Sequence, residues 1–166
     1  MEAKELLKTS QYLAFMLEAE VFAFDISKVR EVLEFETVTK VPQTPKMMKG
    51  VINLRGSVVP VIDLRIKFSM GEAEKTVNTV IIIIEIELEG EITMIGVLVD
   101  SVKEVMDLDR EHIEPPPSIG TRLNTEFIEG MGKMGDQFII ILDIEKIFSS
   151  EELDLVKQAG QQDSMQ

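Results

Sequence analysis

The sequence predicts a mainly β protein built from two copies of one five-stranded unit. Residues 50–68 and residues 130–148 align without a gap and have the same amino acid at several equivalent places. The most informative of these identities are Gly50 with Gly130, Asp63 with Asp143, and Phe68 with Phe148. An internal repeat fixes the architecture before any single residue is interpreted, so the chain is expected to be a duplication.

Each copy opens with two apolar strands joined by a connection of two residues, which is short enough for a hairpin. The first pair covers residues 12–18 and 21–25, and the second covers 79–88 and 91–100. A third matching segment follows each pair, namely Val29-Arg-Glu-Val and Val102-Lys-Glu-Val. With the hairpin of the 50–68 repeat, each copy is predicted to hold five strands and a short terminal helix.

The length of 166 residues suits one domain or two small ones that share a core. A unit of about 70 residues buries too little surface to be stable alone, so the copies are expected to pack together. We predict one domain over residues 12–150, with subdomains at about 12–68 and 78–148. Residues 151–166 are predicted to form a C-terminal helix and a polar tail. Ser149 with Glu152 has the spacing of a capping box at the start of that helix.

The composition excludes several classes of function. Thirty acidic and seventeen basic residues give a net charge of −13, which disfavours nucleic acid as a partner. The chain has no cysteine, so disulfides and thiolate metal sites are excluded. It shows no signal peptide, and its apolar runs, such as residues 80–84, are far shorter than the roughly 20 residues that span a bilayer. A cytoplasmic protein without membrane insertion is therefore expected.

Three local patterns predict structural roles. The run Ile81–Ile84 is predicted to lie in the core. Asp63 and Asp143 each stand between a strand and a helical turn, where a short acceptor caps free N–H groups. Pro60 lies inside a strand and lacks an N–H, which favours an edge or bulge position.

The chain offers little for catalysis. His112 is its only histidine and is predicted to be a solvated loop residue. Asp63 and Asp143 occupy equivalent places, which favours two identical caps over an acid–base pair in different environments. No glycine-rich phosphate loop or calcium-binding loop is present. We therefore predict a protein that is not an enzyme, has no catalytic residues and uses no metal or cofactor.

What remains is a protein that works through its surface. Arg55 stands at the tip of the first 50–68 hairpin, whereas its equivalent in the second copy is Gly135. Glu31 is matched by Glu104. A difference between equivalent sites indicates separate duties for the two copies, although sequence drift explains it almost as well.

The segment Gly50-Val-Ile-Asn-Leu-Arg-Gly-Ser-Val-Val-Pro-Val-Ile-Asp-Leu-Arg resembles the signature of the CheW-type chemotaxis coupling proteins. The resemblance runs from Tyr12 to about Ala159. It also covers Val29-Arg-Glu-Val, Gly96-Val-Leu-Val-Asp and Gly135-Asp. The same module occurs in the CheA histidine kinase and in fusions with a receiver domain, but the freestanding coupler is the better match.

The resemblance implies two intertwined five-stranded SH3-like barrels. It also implies an adaptor or scaffold that couples the cytoplasmic tips of chemoreceptors to the regulatory domain of CheA. Such a protein is recruited from the cytoplasm to membrane receptor arrays.

The resemblance also implies two sets of contact residues. Those for the receptor are Val29, Glu31, Lys49, Gly50 and Arg55, and an ion pair between Glu31 and Arg55 is expected to shape the groove. Those for the kinase are Val102, Val105, Glu114 and Ile119, of which the last two match a contact that closes rings of kinase and coupler. Some relatives carry a basic residue at the place of Glu114.

Two alternatives stay open on sequence alone. One is a coupler of the same type that serves a pathway other than swimming, such as twitching motility or development. The other is a small-ligand-binding domain or an enzyme that uses the same barrels.

Overall fold

The computed structural model describes residues 9–35, 37–71, 74–88, 90–115, 125–149, 151, 152, 154 and 158. Within these residues the chain forms ten strands and two short α-helices, and residues 151, 152, 154 and 158 are helical as well. The strands are β1 (Thr9–Leu17), β2 (Glu20–Asp25), β3 (Val29–Glu34), β4 (Met48–Leu54), β5 (Ser57–Asp63), β6 (Val80–Leu88), β7 (Glu91–Val99), β8 (Ser101–Asp109), β9 (Ile128–Met134) and β10 (Gln137–Leu142). The helices are α1 (Leu64–Lys67) and α2 (Ile144–Ile147).

The strands form two five-stranded sheets, and each sheet takes strands from both sequence copies. Sheet A has the order β8-β1-β2-β10-β9, and sheet B has the order β3-β6-β7-β5-β4. The two orders correspond: if each strand of sheet A is replaced by the equivalent strand of the other sequence copy, the order of sheet B results. The predicted fold class, mainly β with two intertwined five-stranded units, is confirmed.

In each sheet the copies are joined by one antiparallel pair, β1 with β8 or β3 with β6, and by one parallel pair. In sheet A, Ile140 of β10 pairs with Phe22 of β2, and in sheet B, Ile62 of β5 pairs with Val97 of β7. The other pairs between neighbouring strands are antiparallel. The ranges 12–68 and 78–148 therefore delimit the sequence repeats, whereas each sheet combines strands from both.

Three clusters of buried side chains form the core. The largest lies between the sheets, and a smaller cluster lies against each sheet. The run Ile81–Ile84 is fully buried, as predicted. Ile82 and Ile84 face the core between the sheets, and Ile81 and Ile83 face the cluster of sheet B. Since successive side chains of a strand point to opposite faces, a strand with both faces buried needs an unbroken apolar run.

The predicted caps are confirmed. The side chain of Asp63 accepts hydrogen bonds from the backbone N–H groups of Arg65 and Ile66 at the start of α1. Asp143 accepts one from Glu145 at the start of α2. These contacts satisfy N–H groups that a helix leaves without an internal partner.

Two further predictions have different outcomes. The capping box at the C-terminal helix is confirmed, because Ser149 N–H donates to Glu152 Oε1 at 2.9 Å and Glu152 N–H donates to Ser149 Oγ at 3.1 Å. Of the two positions predicted for Pro60, the edge is wrong, since β5 lies between β4 and β7, whereas a register shift of β4 between Met48 and Gly50 does lie beside it, opposite Val61 and Ile62. The pairing of β5 with β7 begins at Val61, the residue that follows Pro60. Pro60 therefore lacks its N–H at a point where β5 is not paired with β7.

The described residues contain no helix that is both long and apolar enough to cross a membrane.

Gly50 is a position where only glycine fits. Its φ is +152°, and a Cβ there would overlap the carbonyl group of Thr39. The backbone of Thr39 both donates a hydrogen bond to, and accepts one from, the backbone of the neighbouring Val51. We predict that Gly50→Ala lowers the free energy of unfolding by about 3 kcal/mol, measured by urea denaturation.

Gly56→Ala is the matched control, because Gly56 also has a positive φ but a Cβ there would contact nothing within 4 Å. It is expected to cost only about 1 kcal/mol of backbone strain. Equal losses in the two variants would mean that the clash with Thr39 contributes nothing.

Candidate functional site

The tip of the β4–β5 hairpin holds Arg55 in an exposed and fixed position. Arg55 and Gly56 both have positive φ, at 50° and 89°, which is the pattern of a type I′ turn. Gly56 N–H donates to the side chain of Asn53 at 2.9 Å, and this bond stabilises the turn. The guanidinium is thereby presented at the end of sheet B with 71% of its side chain exposed.

Arg55 pairs with Glu31 of β3, as the sequence predicts. Its Nη2 donates to Glu31 Oε2 at 2.7 Å, and the Glu31 side chain is 28% exposed. This hydrogen bond holds the pKa of Glu31 below its ordinary value and raises the pKa of Arg55. The other oxygen, Glu31 Oε1, is shielded from solvent and accepts no hydrogen bond from the residues that the structure describes.

The ion pair borders a shallow depression at the end of sheet B. Its residues come from β3, from the β4–β5 hairpin and from the neighbouring strands β6 and β7. The lining residues are Arg30, Glu31, Leu54, Arg55, Ser57, Ile83 and Met94. Charged and polar side chains beside a half-buried methionine are typical of the rim of a protein–protein interface.

The other predicted receptor residues do not gather at this depression. Val29 is half-buried at the start of β3 and packs on the core between the sheets. Lys49 and Gly50 lie near the start of β4, six and five residues before Arg55, which is roughly 15–20 Å along a strand. Lys49 instead approaches Asp63, with 3.8 Å between Nζ and Oδ2. The predicted set therefore spans an extended surface.

Two of the predicted kinase residues lie on β8, at one end of the strand order of sheet A. Val102 is half-buried and packs on the core between the sheets, whereas Val105 is 49% exposed. Val102 pairs with Phe15 of β1 and Val105 pairs with Leu13, with a register shift between them.

The remaining kinase residues fall in the long connection between β8 and β9. Glu114 is exposed, and its backbone bonds to Met131 of β9 in both directions, at 2.8 and 2.9 Å. β8 and β9 stand at the two ends of the order of sheet A, yet they approach each other, since Leu108 of β8 packs against Gly132 of β9. Ile119 lies outside the described residues.

An ion-pair cluster around Arg65 was not predicted. Arg65 of α1 donates from Nε to Asp100 Oδ1 at 2.8 Å, and Glu18 N–H donates to Asp100 Oδ2 at 2.8 Å. Arg65 is only 17% exposed, and its pKa is raised, first by the bond to Asp100. Asp100 stands where the chain passes from sheet B to sheet A, so the cluster connects the sheets. Arg65 and Asp100 are 35 positions apart, and no local pattern pairs them.

The equivalent place in the second copy has the opposite charge balance. The 80-residue offset of the repeat places Glu129 where Lys49 stands and Glu145 where Arg65 stands. Glu145 pairs with Lys28 at 3.2 Å, and both side chains are about half exposed. The pKa of Glu129 is raised, first by burial and then by the charges of Asp143 and Asp25.

The described residues show no arrangement typical of catalysis or metal binding. His112 is 82% exposed, as predicted, with its Nδ1 at 3.6 Å from Asp109 Oδ2. Among the residues that the structure describes, no group of three or more His, Asp or Glu side chains could hold a metal ion.

The raised pKa of Glu129 predicts the pH dependence of a neutral variant. Because the folded pKa lies above the ordinary value of 4.5, the ionised carboxylate disfavours the folded state at neutral pH. Glu129→Gln should therefore raise the free energy of unfolding at pH 8 by a few tenths of a kcal/mol, since Glu129 is partly exposed. That gain should largely vanish by pH 4, where the carboxyl is mostly protonated in both states.

Urea denaturation at the two pH values checks this expectation. The control is Glu104→Gln, at an exposed carboxylate of β8, which should change stability little at either pH. A gain for Glu129→Gln that is equal at pH 4 and pH 8 would contradict the electrostatic explanation.

Comparison with known proteins agrees with this geometry. The model of the CheW-like domain family matches residues 11–152. Chemotaxis protein CheW of Klebsiella aerogenes is 40% identical over 146 residues, which cover 88% of this chain and 86% of that protein. Chemotaxis protein CheW of Treponema pallidum is 31% identical over 143 residues, covering 86% and 84%.

A solved structure is also similar, the crystal structure of the scaffolding protein TtCheW from Thermoanaerobacter tengcongensis. It superposes with a TM-score of 0.76 at 38% sequence identity, covering 86% of this chain and 90% of that one. On these grounds the chain belongs to the CheW-like domain family.

Proposed function

We propose that the chain is a non-enzymatic adaptor that couples chemoreceptors to the CheA histidine kinase in bacterial chemotaxis. The family match over residues 11–152 carries this proposal. The names of its relatives support it, since they are chemotaxis proteins and a scaffolding protein. A scaffold works by holding partners on separate surfaces, and the two sequence copies offer such surfaces.

The receptor surface is assigned to the first copy. It runs from Val29 and Glu31 on β3 to Arg55 at the hairpin tip, with Lys49 and Gly50 at the far end of β4. The exposed guanidinium of Arg55 supports this assignment, because it retains free N–H donors besides the one that bonds to Glu31. A carboxylate or carbonyl of the receptor can accept from them.

Arg55→Glu tests the receptor surface. The variant places two carboxylates side by side and removes the donors, so it should abolish pull-down by a receptor cytoplasmic fragment. Binding of CheA and the thermal unfolding midpoint should stay close to the unmodified values. Unchanged receptor binding would remove Arg55 from the surface.

Two companion variants sharpen this test. Lys133→Glu makes the same change of charge on the equivalent hairpin of the second copy and should leave receptor binding intact. The double variant Glu31→Arg with Arg55→Glu rebuilds an ion pair in reverse. If Arg55 only shapes the depression, the double variant binds the receptor; if Arg55 bonds to the receptor directly, it does not.

The kinase surface is assigned to the second copy. Val102 and Val105 of β8 form one contact, and Glu114 with Ile119 forms a second contact that closes rings. The exposure of Val105, at 49%, supports the first contact, since a large apolar side chain at an exposed strand position gains most from burial by a partner.

Val105→Asp is the variant that tests the kinase surface. It should weaken the binding of CheA by at least tenfold, measured by isothermal titration calorimetry, because a charge would enter an apolar contact. Val32→Asp is a matched control, since Val32 is the equivalent residue of the first copy and is 41% exposed. Equal weakening by both variants would contradict the assignment to the second copy.

The protein is expected to act in the cytoplasm and to reach membrane receptor arrays through these contacts. Reconstitution with a receptor fragment and CheA, read as the rate of kinase autophosphorylation, tests the function as a whole. A chain that leaves that rate unchanged with receptor and kinase present would overturn the proposal.

A further inference from the structure

The β6–β7 hairpin is longer than its equivalent in the other copy. Val102 pairs with Phe15 and the equivalent Val29 pairs with Ile84, so Phe15 and Ile84 correspond. Beyond Phe15 the β1–β2 hairpin continues for two residue pairs, and beyond Ile84 the β6–β7 hairpin continues for four. The difference is two pairs, Glu87 with Ile92 and Leu88 with Glu91. We call residues 85–94 the extended ribbon.

The two faces of the extended ribbon differ in burial. Ile86 is 2% exposed and packs in the core between the sheets, which anchors the ribbon. On the opposite face Ile92 is 72% exposed, beside Glu87 on the neighbouring strand. Ile92 belongs to the part that the shorter hairpin lacks, so the additional length brings an apolar side chain into solvent on a hydrogen-bonded strand.

The surroundings of Ile92 are acidic. Glu85, Glu87 and Glu91 lie on the ribbon, and the sequence has no Lys or Arg between residues 81 and 102. Arg30 of β3 reaches Glu85, with 3.1 Å between Nε and Oε1. A second copy of this chain is a poor occupant, because it carries a net charge of −13 and the same carboxylates. The complementary partner has an apolar side chain flanked by basic ones.

The ribbon continues the surface around Arg55. Met94 lines the depression beside Arg55 and Glu31. Ile92 lies two residues farther along the same face of β7, about 7 Å away by the rise of a strand. A segment that contacts Arg55 and passes over Met94 therefore meets Ile92 next.

We propose that the receptor-docking surface extends along the ribbon to Ile92, and that the receptor segment lying there presents an apolar residue flanked by Lys or Arg. This inference rests on the proposed function, because it takes the occupant of the depression to be the receptor. The carboxylates keep identical chains from associating through the ribbon and favour a basic partner. Ile92 then supplies apolar area that is buried only in the complex.

Ile92→Ser tests the contact with a purified receptor cytoplasmic fragment as the probe. We expect the dissociation constant for that fragment to rise about tenfold, while the affinity for CheA stays within twofold. Ile92→Thr keeps the β-branched shape and should give a smaller loss, and thermal unfolding confirms that both variants fold. Phe138→Ser removes an apolar side chain that is 52% exposed in the second copy and serves as the matched control.

The charge component is tested by Glu87→Lys. Repulsion from the basic receptor residues should weaken binding. The dissociation constant should also depend less steeply on salt concentration, measured between about 50 and 300 mM, because an attraction that salt screens has been removed. An unchanged salt dependence would contradict the basic character assigned to the receptor segment.

The outcomes separate this inference from the function on which it rests. If Arg55→Glu loses the receptor but Ile92→Ser binds it normally, the extension to Ile92 is overturned and the function stands. If both variants bind normally, the receptor surface itself is wrong. If Ile92→Ser weakens CheA binding, or abolishes a dimer of this chain seen in sedimentation velocity, the occupant is the kinase or a second copy and the inference fails.

Discussion

The exchange of strands between the two sequence copies is the constraint on which the rest of the structure depends. Neither copy completes a sheet alone, because the hairpin of strands β1 and β2 takes its neighbours β8 and β10 from the second copy. The reverse holds for strands β6 and β7, which lie between β3 and β5 of the first copy. The exchange buries the shared core between the sheets and explains why two units of about 70 residues form one stable domain.

The exchange also requires the chain to cross between the sheets within each copy, and the two crossings are held differently. At Asp100 the crossing is held by the largely buried Arg65 and by the backbone of Glu18. At Asp25 the carboxylate accepts hydrogen bonds from the backbone and hydroxyl of Ser27, two residues away. The two sequence copies thus have the same strand order, whereas the polar contacts at their crossings differ.

The same divergence gives the copies different surfaces. The first copy carries Arg55 at its hairpin tip, where the second has Gly135. The second copy carries the longer first hairpin, whose exposed Ile92 has no equivalent strand residue in the shorter one. Because strands are exchanged, the longer hairpin of the second copy lies in the same sheet as Arg55 of the first. A docking surface built from both copies is possible only in this arrangement.

Much of the fold and part of the candidate site could be predicted because their causes are local. The hairpins follow from alternating apolar runs and short connections, and the caps at Asp63 and Asp143 follow from the residues directly after a strand. The pair between Glu31 and Arg55 was predicted only through the family resemblance, since 24 positions separate them. For Pro60 the sequence predicted an edge or a bulge and could not choose between them, because a missing N–H shows that one hydrogen bond is absent but not on which side of the strand.

The sequence by itself determined the duplication, the strands, the turns and the apolar residues of the core, since each depends on residues close together in the chain. Only the tertiary structure decided which copy supplies each strand of a sheet, because hydrogen bonds between backbones carry no record of the side chains. For the same reason it alone brought Arg65 to Asp100 and placed Ile92 on the same sheet as Arg55.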